Sequence, residues 1–551
     1  MSKRKKVFSI IHVIWLIILT IVLIGSFYLK KEYANETVEE FYFYLTNGVG
    51  SSDISVFIIA VKECWWKVLL SLFIFIFVFY DISIKYRLVL LSKKPIVEKK
   101  KKKNNNNLYR KIVNKFKHNN KEIIKNNKDK FQIKTIYPFN FIRNHRIIFT
   151  TIVSIVIFII SLNNIRFFEY IKNNYETSDF IKDNIVMGKP ELINLGENNK
   201  NLVLIFVESL ETTLFTKEQG GDWDYEVIPE LYNLLHDEDA IYFASNDTSA
   251  GMYNISSTGW TTASVVANTS GLPFKIPIGG NDYKSSNFMA GAYTLGDLLY
   301  ENGYFNELIS GAKTDFGGIQ QYFTKHGKYN IIDANTMNNY GYKLNYKTIG
   351  AWGINDKTVF DIAKDRLTKL SQEDKPFNET IITIDTHHVN GYKTYYTKNK
   401  YKTQYENVYA TTSELIYDFV YWMKNQDWYD DTVVVIIGDH PSMQTQFFQN
   451  HDQGLRRRYN VILNSSITTE NTKNRSFTAL DTFPTIVGAM GGNIKGDYLG
   501  LGVNLFSDKP TLIEKYDFQV SDEIDKKSVF YNNNILGEDY YNMTNKWIGV
   551  K

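Results

Sequence analysis

Three apolar runs in this chain end in residues that hold cations or phosphates. Residues 202–207 (LVLIFV) lead into Glu208 with no turn between. Residues 380–384 (TIITI) lead into Asp385, Thr386, His387 and His388. Residues 433–437 (VVVII) pass through Gly438 into Asp439 and His440. A hard divalent cation takes oxygen ligands with an occasional imidazole. Glu208, Asp439 and His440 would supply two carboxylates and one nitrogen, a set that suits manganese, zinc or magnesium. A nucleophile is offered by residues 256–266 (SSTGWTTASVV). There Gly259 permits a tight turn and Thr261 falls at the N-cap of a helix whose first N–H groups face an anion. A hydroxyl beside a divalent cation loses its proton more readily and becomes a usable nucleophile.

Each feature has a plainer reading. Glu208 can mark where the chain leaves the core, and an N-cap is the commoner work of a single threonine. A buried strand often ends in Asp or His at a turn. Three such ends in one chain are harder to explain that way, because in a parallel sheet they lie at one edge, where ligands collect.

The elements that must position these residues fall after residue 165. Strand-length apolar runs alternate with helical stretches: residues 201–207, a helix start at 261, a helix, Gly turn and strand across 294–310, and a helix at 358–370. The strand before Asp385, a helix at 413–426, the strand before Gly438 and a helix at 479–492 follow. This alternation predicts an α/β fold, a mainly parallel sheet with helices on both faces.

Before residue 165 the pattern is that of a membrane protein. Residues 7–29 are almost wholly apolar and follow Lys3, Arg4, Lys5 and Lys6. They are too long for a signal peptide, and no small-residue cleavage site follows. Further spans are expected near 66–84 and 147–162. The loop 85–146 is rich in lysine and asparagine and is expected to be poorly ordered. Its stretch 93–130 resembles a nucleic-acid arm, but the positive-inside rule explains it as cytoplasmic. The topology is then inside-out-in-out. Residues 1–165 form a membrane domain, 166–195 a linker, and 196–551 a catalytic domain outside the cytoplasm.

The bulk numbers agree. The chain has 551 residues, 44% hydrophobic and 22% charged, with a net charge of only +4. That is enough for more than one unit, each with an ordinary core. Its one cysteine, Cys64, excludes an intramolecular disulfide and a Cys-based zinc site.

Taken in order, these segments resemble the alkaline phosphatase/sulfatase superfamily, and within it the membrane-bound lipoteichoic acid synthases and phosphoglycerol transferases. LVLIFVESLETTLF is similar to that branch's first metal-ligand segment. STGWTTASVVANTSGLP is similar to its nucleophile segment, DTHH to its substrate-binding histidines and VVVIIGDHPSM to its Asp-His pair. ALDTFPTIVGAMGGNIKGDYLGLGVNLFS resembles its C-terminal helix and loop. The resemblance implies an alkaline phosphatase-like fold. It makes Glu208, Asp439 and His440 metal ligands, and Thr261 both fourth ligand and nucleophile. His387, with His388 beside it, becomes substrate-facing.

One segment departs from the family. SGAKTDFGG lacks the tryptophan and arginine of lipoteichoic acid synthases, so Lys313 and Asp315 are the substrate candidates there. Trp352 either closes the pocket or fills the core. The implied reaction moves phosphoglycerol from phosphatidylglycerol to a hydroxyl of a glycan or a polyglycerolphosphate chain. It uses one divalent cation, manganese first and zinc or magnesium next, at the bacterial cell (inner) membrane. A phosphoethanolamine transferase is the principal alternative, although those relatives lean on disulfides and this domain has no cysteine. A sulfatase is disfavoured because TGWTT is not a formylglycine motif. A non-enzymatic membrane-anchored binding protein should have lost Glu208, Thr261, Asp439 or His440, and all four are present.

Overall fold

A computed structural model describes residues 3–32, 37–39, 54–80, 84–89, 131–136, 139–196, 200–245, 251–275, 288–350 and 352–537. The chain separates into two compact units, and residue 165 ends the first of them.

The first unit holds helices α1 (Lys3–Glu32), α2 (Ile54–Tyr80) and α3 (Arg146–Asn164). All three are long and apolar enough to cross a membrane. The second begins well before the expected Trp66, and its apolar stretch runs from Ala60 to Tyr80. Lys62, Glu63 and Lys67 obscure that start in the sequence. At Ile84 the chain has turned to strand, and Ile84–Val89 pairs antiparallel with Phe131–Ile136. The expected disorder of the lysine-rich stretch falls on residues 90–130, which lie outside the described residues.

The second unit is built on a seven-stranded sheet. Its strands are β1 (Asn201–Val207), β2 (Ala240–Ile241), β3 (Phe305–Ser310), β4 (Asn330–Ile332), β5 (Phe377–Ile382), β6 (Thr432–Gly438) and β7 (Asn460–Leu463). Their order across the sheet is β2-β7-β6-β1-β5-β3-β4. The run from β6 to β4 is parallel, and β7 and β2 add an antiparallel edge. This is the α/β, mainly parallel sheet expected.

Both faces of the sheet are covered, which is why β1 reads as an unbroken apolar run. Side chains alternate along it. Leu202, Leu204 and Phe206 enter one core with helices α5 (Thr261–Ser270), α6 (Leu295–Glu301) and α9 (Thr482–Ala489). Val203, Ile205 and Val207 enter the other with α7 (Asp356–Leu370) and α8 (Gln404–Lys424). Helix α8 starts at Gln404, earlier than the expected Ser413, with a capping box in which Thr403 and Glu406 bond each other's backbone N–H.

Residues 166–195 carry helix α4 (Phe167–Tyr175) and the short pairing of Ile193–Asn194 with Asn493–Ile494. They belong to the second unit.

Candidate active site

The three acid-bearing strand ends are adjacent: β6, β1 and β5 are neighbours in the parallel run. Val207 is in register with Gly438, so Glu208 and Asp439 leave the sheet side by side. The close approach dictates the glycine, since a Cβ on Gly438 would sit 1.9 Å from the carbonyl oxygen of Leu210. The chain is stitched here by backbone. Asp439 N–H donates to Val207 O (3.0 Å), and Thr383 Oγ1 accepts from Glu208 N–H (3.0 Å).

Glu208, Asp439 and His440 converge, fully buried, with their donor atoms within 4.8 Å of one another. His440 Nε2 lies 3.5 Å from Glu208 Oε1 and 3.4 Å from Asp439 Oδ2. Thr261 Oγ1 lies 3.3 Å from Glu208 Oε2 and 3.4 Å from His440 Nε2. Four donors around a tetrahedral cation with bonds of about 2.1 Å stand about 3.4 Å apart, and the four distances above fall between 3.3 and 3.5 Å.

The bonding of each donor fits a cation as well. Asp439 Oδ1 accepts from the N–H groups of Ser209 (2.8 Å) and His440 (2.7 Å), whereas the buried Oδ2 has no hydrogen-bond partner. His440 Nδ1 faces Pro441 O at 2.9 Å, which places the proton on Nδ1 and leaves the Nε2 lone pair toward the cluster. Burial pushes Glu208 up to about 7, helped by the charge of Asp439, and burial likewise pushes Asp439 up to about 7. Burial also lowers His440. Two buried acids held this way are what a divalent cation relieves.

Thr261 is the first residue of α5, one step inside the expected N-cap, which is Trp260. Its side chain is half-buried at the site, while Thr262 is fully buried and packs under Gly317. Gly317 has φ +68, and a Cβ there would stand 2.8 Å from Thr262 Oγ1. That contact seats the loop of Lys313 and Asp315 on α5.

The remaining predicted residues form a rim. Lys313 N–H donates to Trp352 O (3.0 Å). The Trp352 ring stands 5.0 Å from that of His387 and 6.3 Å from that of Phe316, and Trp352 is half-buried. His387 and His388 stack at 4.5 Å. Burial lowers His387 to about 4 and His388 well below the usual range, so both are neutral. His387 Nδ1 faces His388 O at 2.7 Å. Asp315 shares the Lys313 loop but is exposed. Asn390 N–H donates to Gln444 Oε1 (2.6 Å) and Gln444 Nε2 donates to Asn390 Oδ1 (2.8 Å), clasping the histidine loop to the Asp439 loop.

Sequence reasoning missed three residues. Ser209 adopts a left-handed φ of 54, costly for a non-glycine. In that conformation its N–H meets Asp439, and its hydroxyl donates to Glu208 Oε1 at 2.6 Å. Arg458 is fully buried behind α5 and donates to Thr258 O (2.6 Å), Thr258 Oγ1 (2.8 Å) and Asn254 Oδ1. Glu211 accepts from Arg456 twice (2.8 and 2.9 Å) and from Ser442 N–H (3.0 Å), fixing the loop after His440. No local motif marks any of them; each makes bonds across two hundred residues or more.

Residues 200–492, just over half of the chain, match the family model described as Sulfatase. The chain is 29% identical over 315 residues to Phosphoglycerol transferase I of Salmonella choleraesuis (strain SC-B67), covering 56% of this chain and 39% of that protein. It is 28% identical over 310 residues to Phosphoglycerol transferase I of Escherichia coli (strain SMS-3-5 / SECEC), covering 55% and 38%. The matched stretch thus spans less than two fifths of those relatives. Among solved structures, an alkaline phosphatase superfamily protein from Vibrio parahaemolyticus gives a TM-score of 0.45 at 20% identity, over 62% of this chain and 81% of that one. The lipoteichoic acid synthase LtaP from Listeria monocytogenes gives 0.44 at 15%, over 60% and 80%.

Proposed function

From a chain that belongs to the sulfatase family, we propose a membrane-bound phosphoglycerol transferase. It takes the headgroup of phosphatidylglycerol and gives it to a hydroxyl of a glycan or of a polyglycerolphosphate chain. The observation that carries this reading is Thr261 Oγ1 at 3.3 and 3.4 Å from two buried donors of a three-residue cation cluster. The named similarity to Phosphoglycerol transferase I supports the choice of headgroup.

A divalent cation held by Glu208, Asp439, His440 and Thr261 supplies Lewis-acid charge to a phosphoryl oxygen and lowers the pKa of the threonine hydroxyl. Manganese is the first choice, then zinc or magnesium. Thr261 Oγ attacks phosphorus, the bond to diacylglycerol breaks, and the hydroxyl proton leaves with diacylglycerol. A phosphoglycerol-threonine ester remains. An acceptor hydroxyl attacks it, the bond to Thr261 Oγ breaks, and the acceptor's proton returns to the threonine. The N-terminus of α5 faces the phosphoryl group. Neutral His387, its Nδ1–H donating to His388 O, keeps Nε2 as an acceptor, which suits a glycerol or incoming hydroxyl. Lys313, Asp315, His388 and Trp352 frame the headgroup from the rim.

The lysine-rich loop, by the positive-inside rule, supports a cytoplasmic side for residues 85–146. The catalytic unit then lies outside the bacterial cell (inner) membrane, where a phospholipid is the available activated donor.

Mass spectrometry of the full chain after incubation with labelled phosphatidylglycerol tests the reading. The expected result is a labelled adduct on the peptide containing Thr261, absent in Thr261→Ala. Turnover at the wild-type rate by Thr261→Ala overturns the covalent route.

A further inference from the structure

Helix α4 (Phe167–Tyr175) presents two unlike faces. Its C-terminal end is held by the turn at Lys527. Lys527 N–H donates to Asn173 O and Glu176 O, each at 3.0 Å, and Ser178 N–H donates to Lys527 O at 2.9 Å. Tyr170 is half-buried. Phe168, Ile171 and Tyr175 stand at i, i+3 and i+7, one stripe of a helix, and all three are exposed, Tyr175 by 85%. Val529, two residues beyond the gripping Lys527, is exposed too. The grip prevents α4 from rolling this stripe inward.

What covers it is fixed by the chain. Only Ile165 and Arg166 separate α4 from α3, a helix long and apolar enough to cross a membrane. That connection reaches at most about 11 Å. The polar zone of each leaflet is roughly 5–8 Å deep. A helix beginning that close to a span starts in or beside the headgroups. Its charges are already matched, Arg166 with Glu169 through two bonds of 2.7 Å and Lys172 with Glu176 at 4.0 Å. The stripe therefore faces the surface with apolar area rather than net charge.

We propose that α4 lies in the plane of the phospholipid surface, with Phe168, Ile171 and Tyr175 inserted at the boundary between headgroups and acyl chains. The helix is thus a second attachment of the catalytic unit, beside the covalent one, and limits its freedom to lift away from its lipid donor. This rests on α3 as a span and not on the chemistry at Thr261, so a transfer-dead variant serves equally well in the test.

The test uses the full chain in a Cys64→Ser background, with single cysteines placed along α4 and labelled with an environment-sensitive fluorophore. The protein is reconstituted into phosphatidylcholine vesicles carrying a shallow acyl spin label. Phe168→Cys, Ile171→Cys and Tyr175→Cys are expected to show blue-shifted emission and at least twofold stronger spin-label quenching than Glu169→Cys, Lys172→Cys and Asn174→Cys. Aqueous iodide should quench the two sets in the opposite order. All six positions replace exposed side chains, so the folded unit tolerates them. Equal quenching at all six overturns the proposal. Blue-shifted emission without spin-label quenching means that protein covers the stripe, this chain or a second copy, and also overturns it. A pattern that appears only with anionic lipid overturns the apolar basis.

Discussion

Two pairs of carboxylates are buried in one sheet, and only one of them is open to a ligand. Glu307 on β3 and Glu379 on β5 are in register across the strands, fully buried. Arg366 closes this pair from α7, with Nε 2.6 Å from Glu307 Oε1 and Nη2 3.0 Å from Oε2. Burial and the charge of Glu307 hold Glu379 well above the usual carboxylate range, so it is neutral. The Arg366 guanidinium balances the charge of Glu307, and the two Glu379 oxygens stay buried without a hydrogen-bond partner. At the carboxyl edge, Glu208 and Asp439 are equally buried. Arg458, whose charge acts on Asp439, directs Nη1 to Ser264 and Nη2 to Thr258 and Asn254 and bonds neither acid. No ion pair to Lys or Arg reaches either acid among the described residues. Buried acid alone does not mark a site; at the carboxyl edge the two acids also converge with His440 and Thr261.

The contrast breaks or sharpens under substitution. Removing a donor at the edge has the largest effect. Asp439→Ala or His440→Ala should strip the metal and lower headgroup transfer by about 10³-fold or more, several kcal/mol of lost charge stabilisation. Elemental analysis of the purified chain reads the first and product formation the second, and full metal content in both variants would place the cation elsewhere. Opening the closed pair should act on stability instead. Arg366→Met leaves Glu307 charged and unpaired, at a cost of about 3–5 kcal/mol. Its thermal transition in detergent should fall while its metal content stays at the wild-type level; a loss of metal would merge the two pairs into one site.

Ser209→Ala is gentler. Glu208 and Asp439 stay in place, but the hydroxyl that orients Glu208 is gone, which should weaken metal affinity by about 10–100-fold in chelator competition. The smallest effect is one of slope. Glu379 has a folded pKa raised above its unfolded value near 4.5. The folded state therefore holds the extra proton, and this group's contribution is full below about 4.5 and declines as pH rises toward the folded value. Glu379→Gln cannot titrate, so its stability relative to wild type should climb above that pH by up to about 1.4 kcal/mol per unit. Melting curves from pH 4.5 upward check this; a constant difference would mean that Glu379 is ionised in the fold.

The edge pair was legible in sequence and the closed pair was not, for a physical reason. An apolar run that stops at Glu208 or at Asp439 announces itself, because nothing else in the run is polar. FNELIS and FNETII look like ordinary strand openings, and only the register of β3 on β5 sets Glu307 against Glu379. Ser209 is similar: a serine after a glutamate says nothing until a left-handed φ turns its N–H onto Asp439. The expected start of α8 at Ser413 followed apolar periodicity, and the true start lay in Thr403 and Glu406, a capping-box spacing present in the sequence. Trp352 has two equal readings in the sequence because pocket rims and cores both use tryptophan; the structure adds that its ring stands 5.0 Å from that of His387.

The position of β1 has a consequence for making the protein. It is the central strand, apolar throughout, and both of its neighbours come much later in the chain: β5 starts at Phe377 and β6 at Thr432. At about 5–20 residues per second, a ribosome needs roughly 10–45 s after Val207 to deliver β6. Throughout that interval the stickiest segment of the unit has two unpaired edges, the condition that favours strand-to-strand aggregation. Yield should therefore respond to translation rate and to holdase chaperones more than to the stability of the finished fold.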